Sequence, residues 1–480
     1  MPALNGRRNR TFWACAAGNC DIYRSVIDEF KHYPYAYGNH WSTVIFMHCK
    51  SRLILFAVGI IQFSICLLGI SRNPITPFDE PAHFDYVAKI AHGHLPKVNE
   101  KYGQVALESQ ACMKSRYEAW SYIEPCGSHH YTARLAPFYG QSSATGYLPT
   151  YYFLTAIPYD VCDLVTSTTH LNCGRLANSL WLVGASIVMT QLGVIVGANA
   201  IFSGIVAISI NSIGTVLLQG ITVNSDAAIQ MIAPLLVLCT FWVNRKLWRQ
   251  HSRLIAWFLI CAFASSIKLT IAPMLIISTY VMASFESESV VSPLARLRNY
   301  IKYFTSAGLG IGLIYALLAA QPFLRGIGGK DIMKDWLIAH DESTFLSSMW
   351  LTLHSTLQPF SLLTWSPHTT SLLLELANLI ALLGWICFSG IGKTVGFRSI
   401  SNLGGLGILV SVVTPLLMCW WSWKSYGSAS VQPRYYMATL STFLFLGTVG
   451  SRDRIFKAIV LSVLLINFAQ TFLALFRFKG

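Results

Sequence analysis

Long apolar runs separated by short polar and basic stretches dominate the chain. They lie near 53–70, 178–197, 201–218, 224–243, 254–267, 269–283, 303–320, 373–390, 404–420, 434–450 and 456–475. Lipid offers no hydrogen-bond partner to a backbone amide, so a segment of roughly 20 apolar residues crosses it as a helix. The pattern therefore predicts an all-α, polytopic integral membrane protein with about eleven transmembrane helices. Composition agrees, because 54% of residues are apolar and only 12% charged, where a soluble domain carries about 25% charged residues.

The basic residues orient these runs. Arg7, Arg8, Arg10, Lys50 and Arg52 precede the first, and further clusters stand at Arg245/Lys246/Arg249/Arg253, Arg296/Arg298/Lys302, Lys393/Arg398 and Arg452/Arg454/Lys457. By the positive-inside rule all five belong to the cytoplasm. This requires 254–283 to make two short passes that turn outside near Lys268. It divides the chain into a cytoplasmic amino-terminal region, 1–52, a transmembrane body, 53–450, and a last helix with a short tail, 451–480. Two long segments then face the exterior, 71–177 and 321–372, with a short aromatic one at Trp421–Pro433. The +14 net charge reads as a topological signal, so no nucleic-acid partner is expected. No phosphate-binding G-x-x-x-x-G-K-[ST] loop is present, and residues 1–49 lack the pattern of a cleavable signal.

Candidate chemistry concentrates at the start of the first exterior loop. With only 21 acidic residues in the chain, Asp79, Glu80 and His83 stand together within Phe78-Asp79-Glu80-Pro81-Ala82-His83-Phe84. Asp79 suits an N-cap, Pro81 a first turn and Gly93 a stop. The spacing predicts a helix over 82–92 whose apolar stripe, Phe84, Val87, Ala88 and Ile90, lies along the membrane surface. His83 falls one turn from both carboxylates. Farther along, 147–165 is apolar apart from Asp160 and Asp163 and reads as an interfacial helix. Cys112 and Cys126, and Cys162 and Cys173, lie in the same loop, where an oxidising compartment permits disulfides; either pair suits a bridge, Cys112–Cys126 first.

The Asp-Glu-Pro-Ala-His-Phe string resembles the signature of a bacterial multi-spanning family known only as a domain of unknown function. Later elements match in order: Thr145-Gly146-Tyr147-Leu148-Pro149-Thr150-Tyr151-Tyr152 and Gly174-Arg175-Leu176-Ala177-Asn178, then Thr222-Val223-Asn224-Ser225-Asp226-Ala227, Ser266-Ile267-Lys268 and Gln432-Pro433-Arg434-Tyr435-Tyr436. The matches run from about 74 to 437. That family in turn is similar to the GT-C superfamily of membrane glycosyltransferases. The resemblance implies a GT-C-like body, an acidic catalytic residue in the first exterior loop and a polyprenyl-phosphate sugar as donor. It places Tyr147, Tyr151, Asn224, Asp226, Gln432 and Tyr435 in substrate binding. Thr145 and Gly146 replace the family's histidine and proline, so no catalytic role is carried onto them, and Pro433 replaces its glycine.

Chemistry assigns roles to the same groups. An ionised carboxylate at the membrane face can take a proton from an acceptor hydroxyl, which suits Asp79, with Glu80 and His83 supporting it. A lipid-phosphate leaving group needs cations as its bond breaks. Arg434 offers a planar fork, and Arg175 and Lys268 are further candidates. The plainer alternatives are a snorkelling anchor for Lys268, flanking charges for both arginines, and helix caps for Asn224 and Asp226. His92, His94, His129 and His130 show no ligand spacing, so no cofactor is expected and a divalent metal is not favoured. The expected activity is inverting transfer of a sugar from a polyprenyl-phosphate carrier to an envelope glycan or lipid-linked acceptor, at the exterior face of the cytoplasmic membrane. The alternatives are a transporter or flippase of a lipid-linked saccharide and an envelope glycan polymerase or ligase.

Overall fold

The computed structural model describes residues 49–72, 79–113, 124–243, 249–288, 292–329, 345–347, 416–417, 419–420, 423, 434–451 and 454–477. The chain divides into two compact units, Met1–Ile54 and Leu55–Gly480. The second unit is mostly helical, and the described residues form no strand, only the isolated bridges Val98–Ile327 and Lys101–Gln141.

Helix α1, Cys49–Arg72, leads into α2, Glu80–Ala91, and α3, Gln104–Cys112. Three 3₁₀ turns then reach α4, Thr150–Val165, and α5, His170–Ile195. The series continues through α6, Ala200–Asn211, α7, Gly214–Ile221, α8, Asp226–Val243, α9, Gln250–Ile267, and α10, Ala272–Glu288. It closes with α11, Pro293–Arg325, α12, Arg434–Gly450, and α13, Arg454–Arg477.

Among the described residues six helices are long and apolar enough to cross a membrane: Arg52–Arg72, His170–Ile195, Asp226–Val243, Leu269–Ser287, Pro293–Arg325 and Arg454–Leu473. The pair α6–α7 makes a seventh if its 78° bend lies within one span. Of the other expected spans, 254–267 falls in α9, which does not qualify, and 434–450 holds a shorter apolar helix, Met437–Gly450. The runs 373–390 and 404–420 lie outside the described residues, apart from isolated positions in the second.

Polar side chains pin these apolar helices together. Ser186 Oγ on α5 donates to Gln62 Oε1 on α1 at 3.0 Å, and Asn211 Nδ2 on α6 donates to Ser186 Oγ at 2.9 Å. Such contacts contribute about 0.6 kcal/mol each between helices in lipid. Helices α9 and α10 form an antiparallel pair. Arg253 Nη1 meets Glu286 Oε2 at 2.5 Å at one end, the buried Trp257 indole donates to Thr279 Oγ1 at 3.1 Å midway, and Lys268 sits at the apex. Helix α11 packs across both, and Gly310 makes this possible: a Cβ there would lie 2.8 Å from the Phe258 carbonyl oxygen.

The first loop differs from expectation in two respects. Ten of the twelve residues of α2 are buried, its polar Glu80, His83 and Asp85 among them. Helix α2 is therefore an interior helix, covered by α3, α4 and α5, and not a surface one. Its ends fall where the sequence puts them, with Pro81 in the first turn and Gly93 at φ +74° after the His92 cap. The Asp79 side chain, however, makes no capping hydrogen bond. Helix α4 buries Tyr151, Tyr152, Thr155, Ala156 and Tyr159 and turns Ile157, Val161 and Leu164 outward. Disulfides join Cys112 to Cys126 and Cys162 to Cys173, the second tying the end of α4 to the start of α5.

Candidate functional site

One end of the bundle gathers the end of α1, the starts of α2, α5 and α8, the α9–α10 apex and the end of α11. Within it, Glu80 and Arg175 meet as a forked ion pair. Nε donates to Oε1 at 2.7 Å and Nη2 to Oε2 at 2.8 Å, with both side chains fully buried. The Val223 amide adds a third donor to Oε1 at 3.2 Å. The pair needs close packing, and Gly174 supplies it: a Cβ there would sit 2.9 Å from Phe84 and 3.1 Å from Val223. Asp79, one residue before Glu80, is only half-buried, and its carbonyl accepts from the His83 amide at 3.0 Å.

His83 points the other way, into tyrosines. Its Nδ1 lies 2.8 Å from Tyr152 Oη, and its ring stacks on Tyr147 and Tyr152 at 5.9 and 5.8 Å. Tyr86 stacks on Tyr152 at 3.8 Å. Burial pushes the Tyr151 and Tyr152 hydroxyls well up, and that of Tyr86 to about 12 despite the Arg325 charge beside it. All three hydroxyls keep their protons at physiological pH. Tyr151 Oη donates to Asn178 Oδ1 at 2.6 Å, and Asn178 Nδ2 donates to the carbonyls of Gln219, Gly220 and Thr222. A single asparagine thus fixes the end of α7 and the break before α8.

That break carries the second charged pair. Asn224 Oδ1 accepts from the Asp226 amide at 3.0 Å, which gives the capping alternative its contact. Lys268, extended at φ −168° between α9 and α10, donates to Asp226 Oδ1 at 2.5 Å and lies 5.6 Å from the Tyr147 ring centroid. Tyr147 is 38% exposed and so forms the rim between His83 and Lys268. Arg434 and Tyr435 open α12, which packs on α8 and on the Leu269–Ile271 turn beside Lys268. Gln432 lies outside the described residues. Among the described residues no three His, Cys, Asp or Glu side chains converge as a metal set.

The structure thus brings together Asp79, Glu80, His83, Tyr147, Tyr151, Arg175, Asn224, Asp226 and Lys268. Sequence reasoning passed over Tyr86 and Arg325, and gave no role to Tyr152 and Asn178 although both stand in the matched elements. Arg325 had a signal: it ends a span on the side assigned to the exterior, where the positive-inside rule makes an arginine unexpected.

These features define a helical protein with several helices able to cross a membrane and a polar site buried at one end of them. No family model matches the chain, and no curated protein or solved structure does.

Proposed function

We propose that the protein is an inverting membrane glycosyltransferase. It moves a sugar from a polyprenyl-phosphate carrier to a hydroxyl of an envelope glycan or lipid-linked acceptor at the extracytoplasmic face. The proposal includes a GT-C-like body of about eleven spans. The observation that carries it is the division between adjacent carboxylates. Glu80 is held by Arg175 in the interior, whereas Asp79, one residue earlier at the start of α2, is only half-buried. In this reading Asp79 takes the acceptor proton as that oxygen bonds to the anomeric carbon. The carbon–oxygen bond to phosphate breaks on the opposite face, and the phosphate leaves as an anion. Lys268 and Arg434 are assigned to neutralise that anion, Tyr147 and His83 to border the sugar, and Glu80 with Arg175 holds α2 in place.

Protein in lipid vesicles, given a synthetic polyprenyl-phosphate sugar and an envelope acceptor, is expected to transfer the sugar, and Asp79→Asn to lose about 10²–10⁴-fold in rate. Transfer unchanged by Asp79→Asn would remove the base assignment.

A transporter or flippase of the lipid-linked saccharide is the second reading. The 78° break between α6 and α7 and the break at Lys268 favour it, since transporters bind substrate where helices are interrupted. Donor movement across the vesicle without transfer would select it. A polymerase or ligase would instead require a diphosphate-linked oligosaccharide donor.

A further inference from the structure

The cations of the site differ in what already neutralises them. Arg175 is closed on Glu80 in the interior, Lys268 is paired with Asp226, and Lys89 reaches Asp85 at 2.9 Å and Glu100 at 3.0 Å. Arg325, at the end of α11, has no carboxylate within ion-pair distance among the described residues. Its guanidinium donates to neutral oxygens only: Tyr86 Oη, the Thr145 carbonyl and, at 3.5 Å, the Tyr147 carbonyl. Its Nε is buried and lacks a hydrogen-bond partner. A buried donor on a charged group without an acceptor is costly, and it marks where an acceptor belongs.

The chain after Arg325 holds the group in place. Val98 donates its amide to the Gly326 carbonyl at 3.0 Å and accepts the Gly328 amide at 2.7 Å. Gly326 has φ +76°. A Cβ at Gly328 would lie 2.9 Å from the Glu100 Cα, and one at Gly329 2.5 Å from Gln141 Nε2. Arg325-Gly326-Ile327-Gly328-Gly329 is thus a strap that closes against the first loop through the left-handed backbone of Gly326 and the close approach at Gly328. It fixes Arg325 under the backbone of Tyr147, whose ring borders Lys268 and His83.

We propose that Arg325 receives the anionic group of the ligand, a phosphate ester on a prenyl chain, at the Tyr147 rim. The prenyl ester rests on the glycosyltransferase reading; the anion site rests on the geometry alone. A guanidinium fixed by neutral acceptors keeps its full charge for such an oxyanion.

Two measurements test this with farnesyl phosphate as probe and farnesol as the uncharged control. In calorimetric titration of the detergent-purified full chain, Arg325→Gln is expected to weaken farnesyl phosphate binding by about 10–100-fold, the range for a charged hydrogen bond. Arg325→Lys should recover part of the loss. In wild-type protein, farnesyl phosphate is expected to protect Arg325 from phenylglyoxal, read by peptide mass spectrometry, and farnesol is not. The second measurement decides even if the variants fail to fold. Unchanged affinity in a folded Arg325→Gln, or an Arg325 left unprotected, overturns the proposal. Equal protection by inorganic phosphate at the same concentration keeps an anion site and overturns its assignment to a prenyl ester. Protection without any sugar transfer sinks the glycosyltransferase reading alone, and transfer with Arg325 unprotected sinks this one alone.

Discussion

Removing one partner of a buried ion pair strands the other charge, at a cost of about 3–5 kcal/mol. Glu80→Ala and Arg175→Ala are each expected to destabilise by that amount in chemical denaturation in detergent. The double variant should lose less than the sum, and strict additivity would show the pair to be uncoupled. Glu100 behaves differently because it is part-exposed. Burial pushes its carboxyl up, but the Lys97 amide, His94 and Lys89 outweigh this and hold it below the ordinary value. Its contribution is therefore present above the unfolded-state value, about 4.3, and is lost as pH falls through the lower folded one. The stability difference between wild type and Glu100→Gln should shrink as pH drops from 6 to 3, and a difference constant with pH would contradict this. Local spacing revealed where α2 begins and ends. It could not reveal that Glu80 finds Arg175 across 95 residues, since periodicity reports neighbours three or four positions away. The apolar stripe of Phe84, Val87, Ala88 and Ile90 made α2 read as a surface helix, because periodicity marks one buried face and cannot show that the opposite face is covered as well.

Among the helices, glycine positions separate close packing from open space. Gly310 faces the α9 backbone, whereas a Cβ at Gly308 on the same helix meets nothing within 4 Å. Gly310→Leu should therefore force α11 away from α9 and cost about 1–3 kcal/mol. Gly308→Ala should be neutral or stabilise by up to about 1 kcal/mol through helix propensity. Thermal melts of the two variants check this, and equal effects would contradict the α9–α11 contact. The apolar runs made α1, α5, α8 and α11 legible, because hydrophobic length alone marks a span. The bend between α6 and α7 was passed over because 201–218 has the length of one span, although Asn211, Ser212, Gly214 and Thr215 cluster where the two helices part.

Across the molecule, the site draws on segments that lie far apart in the chain, and the two disulfides brace the first of them. Non-reducing peptide mass spectrometry should recover Cys112–Cys126 and Cys162–Cys173 as linked pairs. Cys162→Ser with Cys173→Ser should cost about 2–4 kcal/mol, and free thiols at all four positions would exclude both bridges. The cysteines were visible as candidates from their shared loop. The convergence of α5, α8 and the α9–α10 apex on α2 was not, because it depends on how the helices are ordered in space. The Glu80–Arg175 pair also carries a consequence for biogenesis. Glu80 emerges from the ribosome long before Arg175, and an uncompensated carboxylate cannot wait in a dry interior. Helix α2 must therefore stay hydrated until α5 has been delivered, so the site is assembled after synthesis of its first half and not as that half emerges. A nascent chain halted before residue 175 should leave α2 open to proteases that the finished protein resists.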